Sequence, residues 1–410
     1  MLKRLLLPLL LLSGSFFLKA QSAWIIYNDV NSMLPQNTVR AIAVDNANTK
    51  WVGTDNGLAS FDGTAWTVYQ AGNSGLPDNS VRAIAIDDQN NKWIGTLGGG
   101  VARFDGATWT VYNSSNSPLP SGFVRAIAFD TSGAAWMGTS SGLVKFDGTS
   151  WQVWDMNNST LISHHITSIA IGKDNMKYMG TMNGGMVYFN DTTFTFYNHW
   201  NNTLPDNTVL GLALDTAGYR WVAMPSGGLI AHFGGGSWQL FDMASSGMPT
   251  DALSSVYVDS MSRVYMGSQN KGLVIKQGFN FINYDSTNSP LPDDNVLCIT
   301  KDHMGIAWLG TNNGGLVRMD EGLLNSLEEK DNIGQLKIFP SAIHSGESFF
   351  LEAKAGTLLS VYDEAGRLCA RFDTGNGSMQ LNPGLQSGMY QLVIDGGDGK
   401  RSHAKLIVLE

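Results

Sequence analysis

The chain has only two cysteines in 410 residues, Cys298 and Cys369. They fall in the two separate domains described below, so a disulfide framework is excluded as the basis of this fold. Charge is scarce as well: 15% of residues are charged and the net charge is −9. An acidic balance argues against nucleic acid or an anionic membrane as partner. Beyond the first 20 residues no long apolar run occurs, so the mature chain offers no transmembrane segment. Also absent are His-Glu-x-x-His, Gly-x-Ser-x-Gly, a phosphate-binding loop and Cys-x-x-Cys. Without them no catalytic residue, metal ligand or cofactor is expected.

What is present points elsewhere. Hydrophobic residues make up 43% of the chain, with 47 Gly and 12 Trp. That mixture suits many short strands joined by tight turns. Residues 1–20, "MLKRLLLPLLLLSGSFFLKA", read as a signal peptide: Lys3 and Arg4 lead, an apolar run follows, and Ala20 is a small cleavage-site residue. The mature protein is expected to begin near Gln21 and to be exported.

An aromatic residue, an apolar residue and usually Gly-Thr recur as "WVGT" at Trp51, "WIGT" at Trp93, "WMGT" at Trp136, "YMGT" at Tyr178, "WVAM" at Trp221, "YMGS" at Tyr265 and "WLGT" at Trp308. The steps between them are 42, 43, 42, 43, 44 and 43 residues. Each unit reads as four strands. "VRAIAVD" is strand a, "KWVGT" strand b, "GLASF" strand c and "AWTVY" strand d, with Asp62-Gly63 predicted as a two-residue hairpin between c and d. A linker containing Leu76-Pro77 leads to the next strand a. Four antiparallel strands per 40–45 residues is the spacing of a propeller blade. The seventh unit lacks a strand d after "GLVRMD", whereas "AWIIYN" at the front of the chain is a strand d with no unit before it; Trp24 precedes Trp66 by 42 residues. The expected fold is therefore all-β: a seven-bladed β-propeller over residues 21–320, closed by its N-terminal strand, then a linker over 321–334 and a small β-sandwich over 335–410.

The pattern "V..IA.D", "W.GT..GL..FDG..W..Y" and "LP.N.V" resembles the two-component regulator propeller repeat. That repeat builds periplasmic sensor regions of hybrid histidine kinases in Bacteroidetes-type bacteria, which recognise glycans. Blades five and six depart most, with "WVAM", "YMGS", "HFGGG" and "KQG". Unlike those sensors, this chain does not continue into a membrane helix and kinase. Its tail instead resembles the type A C-terminal sorting domain of the type IX secretion system. Gly366, Gly388, Tyr390 and Lys405 carry that resemblance, while "FPSA" at Phe339–Ala342 stands where the family has "YPNP". The resemblance implies type IX secretion machinery as a partner and a secreted or outer-membrane cell-surface location after periplasmic transit.

Two function classes compete. One is a non-enzymatic, monomeric binding protein that captures an extracellular glycan or protein ligand. The other is a propeller lyase acting on an acidic polysaccharide or lactone, for which His164, His165, His199 and His232 are the available candidates in blades four and five. The repeated Asp45, Asp87, Asp130, Asp215 and Asp259 are read as turn residues, since each has too few neighbouring carboxylates for a calcium cage. Three consecutive blades place an arginine second in strand a: Arg40, Arg82 and Arg125. Blade four has His164 and His165 in the preceding linker. Side by side at the channel mouth, these groups form a candidate site for a carboxylate or sulfate. The alternative is structural pairing of each arginine with a linker carboxylate such as Asp78.

Overall fold

The computed structural model describes residues 23–324 and 337–409, apart from 202–203, 233–237, 278–279, 340–341, 346, 353–357, 364–367, 374–378, 383 and 396–400. The leader sequence, most of the linker and Gly366 lie outside the described residues. The chain divides into two compact units, Met1–Glu321 and Gly322–Glu410.

The first unit is a propeller of seven four-stranded antiparallel sheets. In blade 1, strands a to d are Val39–Val44, Lys50–Thr54, Gly57–Phe61 and Trp66–Tyr69, paired in that order. Strand b is buried throughout and strand d is half exposed, so hydrophobic burial is concentrated in the middle of each blade. The sheet holding Val296–Lys301, Ala307–Thr311 and Leu316–Met319 takes Trp24–Tyr27 as its outermost strand, with Trp24 opposite Met319 and Tyr27 opposite Leu316. The first and last propeller strands of the chain thus share one sheet.

Two sequence features explain how the blades form and stack. The aspartate ending strand a closes the a–b turn: Asp45 Oδ1 accepts the N–H groups of Ala47 and Thr49, each at 3.0 Å. Its Oδ2 accepts the Trp51 indole N–H at 3.0 Å, which satisfies the one polar atom of a buried tryptophan. The same bond joins Asp87 to Trp93, Asp130 to Trp136, Asp215 to Trp221 and Asp302 to Trp308. Blade 6 uses the Tyr265 hydroxyl on Asp259. These carboxylates are therefore occupied by turn and tryptophan, as the turn reading required. Blade 4 carries Gly172 instead; a Cβ there would lie 2.3 Å from Asp174 Oδ1, so the neighbouring aspartate has moved into the gap.

The second feature is the glycine of the "WxGT" motif. A Cβ on Gly53 would sit 2.5 Å from Val81 Cγ1 of the next blade, and one on Gly95 would sit 2.7 Å from the Val124 carbonyl oxygen. Glycine here permits strand a of each blade to press onto strand b of its predecessor. Gly310 of blade 7 faces Val39 of blade 1 in the same way, 2.6 Å from Val39 Cγ1. The core consists of such inter-blade clusters: Trp51 and Leu58 of blade 1 pack with Val81, Ile94 and Phe104 of blade 2.

The c–d connection differs from the two-residue hairpin predicted for it. Phe61 pairs with Trp66, leaving four loop residues. Asp62 Oδ1 accepts the N–H groups of Thr64 and Ala65 at 2.7 and 2.8 Å, and Gly63 takes φ 109°. The aspartate acts through its side chain, as in an Asx turn, rather than by adopting positive φ.

The second unit contains a three-stranded sheet (Lys337–Phe339, Phe349–Glu352, Met379–Leu381) and a five-stranded sheet. The latter runs Ala342–His344, Arg401–Leu409, Gly388–Asp395, Leu358–Asp363, Leu368–Asp373. Phe349 and Leu381 from the first share a buried cluster with Leu359, Val361, Leu392, Leu406 and Val408 from the second. Gly388 opens its strand, the Tyr390 hydroxyl donates to the Gln386 carbonyl at 3.0 Å, and Lys405 pairs in register with Gln391.

Candidate functional site

Strand a of each blade lies innermost and neighbours the strands a on either side around the ring. In six blades its pairing with strand b slips by one residue immediately after the first position: between Val39 and Ala41, Val81 and Ala83, Val124 and Ala126, and likewise in blades 4, 6 and 7. The residue in the slip is an extra one, a β-bulge, and a bulge re-aims its side chain. In blades 1 to 3 that residue is Arg40, Arg82 or Arg125. A local backbone device therefore sets three guanidinium groups at the end of the inner strands where the d–a linkers arrive.

Their partners differ. Arg40 donates from Nε and Nη2 to the two oxygens of Asp55, both at 2.8 Å, a bidentate fork. Arg82 Nη1 lies 3.0 Å from Asp55 Oδ1. One carboxylate, in the b–c turn of blade 1, thus ties two arginines from adjacent blades. Burial pushes the Asp55 carboxyl up, but the hydrogen bond from Arg40 and the charges of Arg40 and Arg82 outweigh it, and the group stays below its ordinary value. The linker carboxylate Asp78 acts on Arg82 only through its charge and instead caps Ser80 N–H at 2.9 Å.

Arg125 has a different setting. Its guanidinium carbon stands 4.7 Å from the centroid of the Phe123 ring, in cation–π range. Its Nε is buried without a hydrogen-bond partner, and no carboxylate pairs with it among the described residues. Burial and the charge of Arg40 lower the affinity of Arg125 for its proton. His165 meets Phe123 edge-on, ring centroids 6.3 Å apart. Burial, then Arg125, then His164 push the His165 imidazole below its ordinary value, which favours the neutral form. His164 is exposed. The arc thus holds three fixed positive charges against one paired carboxylate, Asp55, and the more distant charge of Asp78, with an aromatic face and a titratable imidazole at the blade 4 end. Such a set can accept an oxyanion through the free edge of a guanidinium.

The histidines considered for a lyase do not converge. His199 lies in the exposed turn His199–Asn201 of the following linker. His232 is buried at the end of a strand c, stacked 4.2 Å from Trp238 and hydrogen-bonded through Nδ1 to the Tyr188 hydroxyl at 2.6 Å. Among the described residues the histidine–carboxylate pair is His344 with Glu347, in the second unit. Neither cysteine forms a disulfide; burial pushes Cys298 up to about 12, which leaves it unreactive at neutral pH.

Asp55 and Phe123 were not anticipated from the sequence. A signal for Asp55 existed: it follows the "GT" of blade 1, where the other blades have Leu97, Ser140, Met182, Pro225, Gln269 and Asn312.

A family model described as "Two component regulator propeller" matches residues 290–313. Among solved structures, the extracellular domain of the putative hybrid two component system BT3049 from B. thetaiotaomicron superposes with TM-score 0.67 at 19% identity, over 94% of this chain and 57% of that one. PorZ, an essential bacterial surface component of the type-IX secretion system of Porphyromonas gingivalis, gives 0.59 at 16% identity, over 91% and 60%. A streptogramin B lyase gives 0.59 at 15% identity, over 72% of this chain and 96% of the lyase. The chain thus spans less than two thirds of the first two. No curated protein matches it. At these identities the likeness speaks to the propeller fold, which sensors, surface components and lyases share. Two of these neighbours are named as an extracellular domain and a bacterial surface component, and no helix among the described residues is long and apolar enough to cross a membrane.

Proposed function

We propose that this chain is an exported two-component-regulator-type propeller that captures an anionic extracellular ligand, most simply an acidic glycan, at the channel mouth of blades 1 to 4. The observation that carries the reading is the charge imbalance of the bulge arc: Arg40 and Arg82 share Asp55, and Arg125 has no carboxylate. In an acidic protein, a cluster of half-buried positive charge concentrates its field on a counter-anion. His164 and His165 complete the arc on the blade 4 side. In this reading the N-terminal strand closes the ring, the second unit is a β-sandwich sorting domain, and Gly366, Gly388, Tyr390 and Lys405 belong to its recognition by type IX secretion machinery, with delivery to the cell surface or medium.

A glycan array on the mature chain, followed by product analysis of every hit, tests the binding half. Retention of acidic glycans without turnover is the expected result. Chain cleavage lost on His165→Ala would overturn it in favour of a lyase. Truncation before Gln335 followed by cell fractionation tests delivery: the truncated protein should stop in the periplasm, and its unchanged arrival outside would refute the sorting role.

A further inference from the structure

At the opposite end of the blades, the a–b and c–d turns form a second ring of interactions that the sequence repeat does not announce. In six of the seven seams, a cation delivered by one blade lies over the aromatic residue of the blade before it. Lys92 Nζ is 5.1 Å from the Trp51 ring, Lys177 4.5 Å from Trp136, Lys276 5.6 Å from Trp221, Lys301 4.4 Å from Tyr265 and Lys50 5.1 Å from Trp308. The Arg220 guanidinium is 4.8 Å from Tyr178. Four of these cations open strand b, and the position before the "WxGT" aromatic is Lys50, Lys92, Lys177 or Arg220.

Seam 2–3 breaks the rule. There the position is Ala135, and no cation from blade 3 stands over Trp93 among the described residues. A cavity of about 380 Å³ remains, lined by Trp93, Phe129, Ala135 and Phe146 together with the carboxylates Asp87, Asp88 and Asp147. Arg103, from blade 2 itself, also lines it: its guanidinium is 6.0 Å from the Trp93 ring centroid and its Nε is 3.9 Å from Asp87. Asn91 Nδ2 donates to both Asp87 oxygens at 3.0 and 2.8 Å and so replaces the hydrogen bond that Lys92 gives Asp45, but not its volume or charge.

We propose that this cavity binds the alkylammonium group of an external ligand, which takes the place occupied by lysine in the other seams. Three carboxylates against one arginine give the lining the matching sign, and the Trp93 face supplies the cation–π surface that the protein uses six times elsewhere. The site stands at the far end of the blades from the arginine arc and is independent of the function proposed above.

The shared chemistry has two sources, a free polyamine or a lysyl side chain, and two probes separate them: cadaverine and Nα-acetyl-lysine methylamide, each titrated calorimetrically into the mature chain. Neutral 1-pentanol is the control. At least one amine should bind and pentanol should not, and Ala135→Lys should weaken amine binding at least tenfold with the melting temperature unchanged or raised. Should Ala135→Lys fail to fold, Ala135→Met fills the same volume without charge and should block binding equally. Absence of binding by both amines, equal binding of pentanol, or undiminished amine binding by either folded variant would overturn the proposal.

Discussion

Seams 1–2 and 2–3 are built from nearly the same sequence, "D....KWVGT" followed by "D....KWIGT", and yet they are different objects. In the first, Asp45, Trp51 and Lys92 form a closed stack in which Lys92 Nζ is 3.3 Å from Asp45 Oδ2, with side chains 7% and 6% exposed. In the second, Asp87 and Trp93 recur but the stack ends in Ala135 and a cavity. The same contrast appears at the other end of the blades. Arg40 and Arg82 both pair with Asp55, and Arg125 at the equivalent bulge has no carboxylate partner among the described residues. Where the repeat is complete, its charged residues hold blades together; where one partner is missing, an identical residue lacks that pairing.

The largest expected effect tests the closed stack. Asp45→Ala removes an indole acceptor and strands a buried Lys92, so unfolding by urea should show a loss of about 3–5 kcal/mol. Asp87→Ala has no buried lysine to strand and should cost about 1–3 kcal/mol. Equal losses would mean that the two seams do not differ energetically as their geometry implies.

Next comes the steric contact between blades. Gly95→Ala places a methyl 2.7 Å from the Val124 carbonyl oxygen, and about 1–3 kcal/mol of overpacking is expected in thermal unfolding. Blade 5 already carries Ala223 at the matching position, so Ala223→Gly should cost only about 0.5–1 kcal/mol of strand propensity.

A smaller effect separates the tied arginines from the free one. The Asp55 carboxyl is held below its ordinary value of 3.8 in the folded protein. Its contribution is therefore complete above about pH 4 and is lost as pH falls through the folded-state value. The stability difference between wild type and Asp55→Asn, on the order of 1 kcal/mol for a pair this exposed, should be present at pH 7 and shrink below pH 3.8. A difference independent of pH would show that shape rather than charge joins Arg40 to Arg82.

The smallest stability change belongs to Arg125→Ala, within about 0.5 kcal/mol, because no ion pair is broken. Its effect on capture of acidic ligands should nonetheless exceed that of Arg40→Ala. A large loss of stability instead would reassign Arg125 to the framework.

Much of this was legible in advance because the repeat writes local geometry directly. Strand order within each blade, the Asp–Trp spacing of six residues, the "LP" linkers and the arginine at the second position of strand a all depend on contacts within one unit, and a regular step displays them. The hairpin at Asp62-Gly63 was misjudged because the Asx side-chain turn and the two-residue turn share the same residues. The bulge that aims Arg40, Arg82 and Arg125 has no composition signal of its own.

The amino-acid order by itself determined the propeller: seven copies at a step of 42 to 44 residues, each with alternating strands and a turn aspartate, admit little else. What only the tertiary structure decided is which charges meet. Asp55 reaches Arg40 within its own blade and Arg82 in the next, Phe123 turns beneath Arg125, and Ala135 leaves a cavity beside Trp93 where the other seams hold a cation. The meetings of Asp55 with Arg82 and of Ala135 with Trp93 join neighbouring blades, and their distances are set by the curvature of the ring and the close approach at the "WxGT" glycines. A period along the chain cannot encode them, since it repeats the residue but not its neighbour.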